Sequence, residues 1–379
     1  HGTLTISGEA KIGKAQGGDG GGGTGGTGIF SSGKLTVSEK AAINNATGGS
    51  GIHGGTGILG STTMEIAGTI KEAFGGKATG RGIGGSGILS TGDIIISDKA
   101  KINNAKGGDS IDGSGGDGIR GGTLTISGQA FIDKATGGTG KNGGKGGSGI
   151  HGGTILNISQ SAKINTATGG DSADGTGTGG DGIRSDGEFT ISKSTSGDAH
   201  PNTIGTAQGG NGKSGGKGIF GKTVEIAVGI INQAKGGNST GTSEDDTGGA
   251  GISASDSLAI SGWIQNATGG SAKDGKAGDG IHSDATLNIS GGRINEATGG
   301  SAESGAGGSG IHSNGDITIS GGDIHNATGG SANSGNGGAG IGVGETAKIY
   351  IKGGTIWNAT GGTGGAGIGG RKNQNGSVE

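Results

Sequence analysis

Glu244, Asp245 and Asp246 stand in a row inside a glycine-rich stretch. Three adjacent carboxylates offer oxygen donors to a hard cation such as calcium. The same run also suits a solvated, charged surface. Trp263 and Trp357 are the only tryptophans, and each adjoins an isoleucine of the repeat set out below. Both should face outward or sit at a turn. Their rings could stack on a sugar or pack under a loop. His53, His151, His282 and His312 each follow a Gly-Ile step, so some could form a column on one face and offer imidazole nitrogens to a metal. Repetition of one structural position explains that spacing equally well.

Other chemistry is largely excluded. Cysteine is absent, so there are no disulfides and no thiolate sites. Ser-His-Asp combinations can be drawn anywhere in so serine-rich a chain and carry no information. Gly216–Thr223 fits the phosphate-loop spacing, but that loop needs a strand before it and a helix after it, and Val224-Glu225-Ile226 reads as a strand. The nine-residue tandem of a calcium β-roll is missing. Polysaccharide lyases and glycosidases need converging charged groups, and sugar sites usually add aromatic platforms, whereas aromatics make up 2% of this chain. The formal net charge is −3 and no basic patch is visible, which argues against a nucleic-acid partner. No run of apolar residues is long enough to span a membrane.

The elements that would position these residues come from a repeat. Of 379 residues, 107 are Gly and one, Pro201, is Pro, so collagen periodicity is excluded. An Ile-x-x-Ala-x-Gly-Gly element carries Ile12, Ile43, Ile70, Ile102, Ile132, Ile164, Ile204, Ile231, Ile264, Ile294, Ile324 and Ile356, at a mean spacing of about 31 residues. Before each lies an apolar-polar-apolar segment such as Leu124-Thr125-Ile126 or Ile317-Thr318-Ile319, the period of a half-buried strand. Before that comes a Gly-Ile step at Ile29, Ile58, Ile88, Ile119 and their successors to Ile368. Helices do not compete, because glycine at this density costs about 1 kcal/mol per residue in a helix. Coiling the chain stacks each isoleucine over its counterpart. The pattern therefore predicts an all-β fold, a right-handed parallel β-helix (solenoid) of about twelve turns with Gly-rich excursions on one side.

The excursions read either as flexible loops or as a second stack. Their equal lengths favour the stack: the next Gly-Ile isoleucine lies 14 residues beyond each of Ala267, Ala297 and Ala327. Residues 1–379 form a single solenoid domain, expected to be a fragment of a longer chain because His1 opens in mid-repeat. Residues 192–203 read as an inserted loop and 236–251 as a long acidic Gly-rich loop.

Three segments carry a resemblance: Gly338-Ala339-Gly340-Ile341-Gly342, Ile349-Tyr350-Ile351-Lys352-Gly353-Gly354-Thr355-Ile356, and the glycine-rich run 359–370. They resemble the glycine-rich repeat regions of large bacterial cell-surface proteins. That resemblance implies a secreted, cell-surface protein with a β-helix of the pectate-lyase or autotransporter-passenger type. It is sharpest after Ile252.

The expected function is an extracellular structural or adhesive rod or filament component, not an enzyme. A carbohydrate-binding or polysaccharide-degrading β-helix is the alternative, and an ice-binding protein a third. Ligand contacts would fall to Trp263 and Trp357, and a metal to Glu244, Asp245 and Asp246. No cofactor is expected beyond calcium. Partners would be other copies of the chain, end to end or side by side, or surface glycans, with no nucleic acid and no membrane insertion within this segment.

Overall fold

The computed structural model describes residues 2–192, 202–370 and 377–378. Among these residues there is no helix, and the strands join one parallel sheet wound into about twelve turns. Each turn contributes three strand segments, and each segment pairs with its counterpart one turn away.

The first column is the Gly-Ile step. Its isoleucines pair in register from Ile29 through Ile58, Ile88 and Ile119 to Ile341 and Ile368. The second column is the alternating segment, as in Leu258↔Leu287↔Ile317↔Ile349. The third carries the twelve repeat isoleucines in an unbroken line from Ile12 to Ile356. β-Branched side chains suit this geometry because each packs on an identical neighbour above and below. The three columns face one another around a single apolar core running from Ile6 to Ile349.

Corners between columns use small polar residues. Ser185, Ser283 and Ser313 are fully buried there. Their hydroxyls donate to the carbonyls of Glu188, Thr286 and Ala285. Gly322 and Gly354 turn the corner into the third column with φ of +83° each, a conformation that costs glycine nothing.

The glycine excursions are stacked rather than loose. In each turn the chain runs out and back, and glycine amides link the two arms and then the next turn. Gly270 N donates to Gly249 O, Gly278 N to Gly270 O, Gly300 N to Gly278 O and Gly308 N to Gly300 O, all at 2.8–2.9 Å. The same alternation runs from Gly49 to Gly362. Further out, Ala272, Ala302 and Ala332 bridge in register and form a small apolar cluster with Ala277.

The inserted loop expected at 192–203 lies largely outside the described residues. Its rejoining residue, Asn202, is buried and donates through Nδ2 to Ile158 O and Ser192 O, each at 3.2 Å. The acidic stretch 236–251 is an arm stacked like its neighbours: Ser239 N donates to Ser271 O and Gly248 N to Lys276 O. The segment with phosphate-loop spacing continues as strand Ile219–Ile226.

Candidate functional site

The residues after the Gly-Ile isoleucines point outward in one line: Arg120, His151, Arg184, Phe220, Ser253, His282 and His312 pair in register through successive turns. Beside them stands a second line, two residues before each isoleucine, and in three turns it is a buried aspartate. The local sequences are Asp117-Gly-Ile-Arg120, Asp181-Gly-Ile-Arg184 and Asp279-Gly-Ile-His282.

Each aspartate does the same two things. Its Oδ1 accepts the amide of the next turn at 2.6 Å: Ser148 N for Asp117, Lys217 N for Asp181 and Ser309 N for Asp279. Its Oδ2 meets the outward cation of its own turn, namely Arg120 Nη1 at 3.3 Å, Arg184 Nη1 at 3.0 Å and His282 Nδ1 at 2.9 Å. A buried carboxylate is tolerable because its charge is paired and its oxygens are bonded.

A second set of carboxylates closes the pattern from outside. Asp186 Oδ1 accepts from Arg184 Nε at 2.7 Å, and Asp284 Oδ1 lies 2.9 Å from His282 Nε2. His151, buried between two turns, spans Asp117 at 3.3 Å and Asp186 at 3.0 Å. Burial alone would pull the His151 imidazole down; hydrogen bonds to Asp117 and Asp186, with the Asp117 charge, carry its pKa above 6.5 instead. His282 follows the same balance, with burial opposed by Asp279 and Asp284. Burial would raise the Asp279 carboxyl, but the charges on Lys276 and His312 and the His282 hydrogen bond hold it well below 3.8.

These side chains line one groove along the axis. A stretch of about 590 Å³ takes in Arg120, His151, Arg184 and Asp186. A narrower cleft of about 240 Å³ takes in Phe220, Lys276, Asp279 and His282. Lys217 and Thr247 border both. The Arg184 guanidinium lies 5.0 Å from the Phe220 ring centroid, so cation and aromatic cover each other at the junction.

The residues singled out from sequence fall elsewhere. Trp263 and Trp357 do face outward, 37% and 64% exposed. Their strands are three turns apart, so they build no common platform. The Arg293 guanidinium covers Trp263 at 5.8 Å, and the His325 ring lies 5.7 Å from Trp357. Glu244 and Asp245 are exposed, while Asp246 turns inward, accepting from Ser243 N at 3.0 Å and pairing with Lys213 at 3.5 Å. Among the described residues, the one group of three donors that converges is Asp279, His282 and His312.

The histidine column needs one correction. His282 and His312 stack, with ring centroids 5.4 Å apart, and His151 shares their line. His53 does not: it sits in a glycine arm, bridging Thr24. Residues 51–58 contain two Gly-Ile steps, and the strand forms on the second, Ile58. The recurring Asp-Gly-Ile-(Arg/His), extended by Ser-Asp at 181–186 and 279–284, is the sequence signal that would have marked the groove.

Fold and groove together define a parallel β-solenoid with a charged axial face. No family model, no curated protein and no solved structure matches the chain.

Proposed function

We propose that this chain is a stiff extracellular spacer, a structural or adhesive rod built from stacked turns and displayed at a cell surface. The observation that carries this reading is the glycine ladder. Backbone hydrogen bonds order the excursions from Gly49 to Gly362, so the cross-section is bonded in its arms as well as in its three columns. Stacked in this way, twelve turns extend about 58 Å at 4.8 Å per turn. Resistance to bending and to proteolysis follows, because no long stretch of the described chain is left without backbone partners. The resemblance to glycine-rich repeats of large bacterial surface proteins, and through them to autotransporter passengers, supports the same assignment, as does a solenoid's capacity to pair with further copies of itself.

The test is native-state hydrogen exchange with small-angle scattering. A rod-shaped particle whose arm amides, Gly270 and Gly278 among them, exchange as slowly as those of Ile264 and Ile294 supports a rigid spacer. Arm amides exchanging at the free-chain rate would overturn it.

A second reading has its own observation. The axial groove sets Arg120, Arg184, Lys145 and Lys217 among carboxylates and beside Phe220, which suits a polar, anionic glycan running along the rod. Titration with polyuronates against neutral glycans tests it: binding weakened by Arg184→Ala supports a glycan-reading rod, and no binding removes this reading while leaving the spacer intact.

A further inference from the structure

We infer that Asp279, His282 and His312 form a binding site for a divalent transition metal, with zinc the best fit. Three donor atoms from two successive turns converge. Asp279 Oδ2 lies 2.9 Å from His282 Nδ1, the two histidine Nδ1 atoms are 3.4 Å apart, and His312 Nδ1 is 3.8 Å from the same carboxylate oxygen. Around a tetrahedral ion with bonds of about 2.0–2.1 Å, ligand atoms stand about 3.3 Å apart. The three separations bracket that value.

The surroundings are those of a supported ligand set. Asp284 lies 2.9 Å from His282 Nε2, so when a metal replaces the Asp279 hydrogen bond at Nδ1 the remaining ring N–H keeps its acceptor and the ring its orientation. Rotation of the Asp279 carboxylate is restrained by the Ser309 amide on its Oδ1 at 2.6 Å. Asp279 and His312 are 3% and 4% exposed, so little ordering remains to be done on binding. The cleft beside them, bordered by Lys217, Phe220 and Lys276, leaves room for a water to complete the shell. The imidazole planes are now only 11° apart, so binding turns at least one ring to aim its lone pair at the ion.

Two imidazoles and one carboxylate select zinc, nickel or copper over calcium and magnesium, which require shells of oxygen. The other two Asp-Gly-Ile turns carry Arg120 and Arg184 where this one carries His282. A guanidinium does not ligate, so among the described residues the chemistry is confined to this pair of turns. Lys276 Nζ, 3.1 Å from Asp279 Oδ2, is the cation that a metal would displace.

The experiment is calorimetric titration of the whole chain with zinc chloride, with calcium and magnesium chlorides in parallel. One equivalent of zinc should bind, and neither of the other ions. The repeat supplies its own controls, since Ser253 and Gly342 occupy the histidine position in adjoining turns. His282→Ser and His312→Ser should therefore fold, as circular dichroism will report, and each should weaken zinc binding by more than about 100-fold, beyond the 10–100-fold typical of an outer-shell change. Asp284→Ala should fall within that outer-shell range, and Lys276→Met should tighten binding. Absence of zinc binding in the unmodified chain, zinc binding that survives both serine substitutions, or equal binding of calcium would each overturn the site. Weaker binding in Lys276→Met would do the same, because it would mark the cluster as an ion-pair network only.

Discussion

The amide of Gly278 donates to the carbonyl of Gly270 at 2.8 Å, closing the out-and-back arm of one turn, while the amide of Gly270 reaches Gly249 of the turn before. Two glycines per turn thus knit the excursions into a second spine beside the isoleucine core. A Cβ at Gly278 would lie inside van der Waals contact of the Gly249 carbonyl, which is backbone and cannot swing aside.

Gly278→Ala should therefore cost about 1–3 kcal/mol, the range for forcing atoms into a filled space. Gly18→Ala is the control, because nothing lies within 4 Å of the place its methyl would take. It should stay within about 0.5 kcal/mol of the parent. Denaturant midpoints of the two variants check the contrast.

Ile294 sits between Ile264 and Ile324 in the third column and is 1% exposed. Ile294→Asp buries a charge with no partner and should cost more than about 4 kcal/mol. Ile294→Val should cost about 1 kcal/mol. Each turn of a solenoid touches only its neighbours, so the loss of hydrogen-exchange protection should centre on the turns flanking residue 294. An unchanged melting temperature for the aspartate variant would remove the inward column.

His151 makes stability depend on pH. Its folded pKa lies above 6.5, so its contribution is fully present below pH 6.5 and is lost as pH rises through the folded value. Asp186 runs the other way. Burial works to raise its pKa, but His151 and Arg184 hold it below 3.8, so its contribution is present above pH 3.8 and lost on acidification through the folded value. Both contributions coexist between about pH 4 and 6.5. The groups facing His151 are Asp117, Asp186 and Arg120. Melting temperatures of the parent and His151→Gln should differ most near pH 6 and converge by pH 9. A pH-independent difference would show that the imidazole does not titrate in this way.

Asp181 ties two turns through Lys217 N and Arg184. Asp181→Ala leaves that part-buried amide without its acceptor and should cost about 1–3 kcal/mol. Asp181→Ser should cost less, since Ser309 occupies the equivalent place and its hydroxyl accepts the Ala339 amide at 3.3 Å. Thermal unfolding of the two variants ranks them.

Much of the fold is written locally. The twelve repeat isoleucines, the Leu-x-Ile alternation and the Gly-Ile step each map onto one column, because a strand's inward face is a period-two property of a few neighbouring residues. The equal arm lengths after Ala267, Ala297 and Ala327 likewise foreshadow the stacked excursions. Where one turn holds two identical local signals, Gly51-Ile52 and Gly57-Ile58, the sequence cannot choose between them, and for that reason the local pattern assigns His53 to the wrong element. Ile52 is 39% exposed, whereas Ile58 is fully buried.

The groove is a different case. His151 reaches Asp117 and Asp186 from 34 and 35 residues away, and His312 meets Asp279 across a full turn. Such meetings depend on which residues stack, and that register is settled only when the whole coil closes. The chain's own residues determined a repeating strand, its inward side chains and the glycines that let its arms close. The tertiary structure alone decided which charges face one another, because side chains far apart in sequence become neighbours only through the 4.8 Å step between turns.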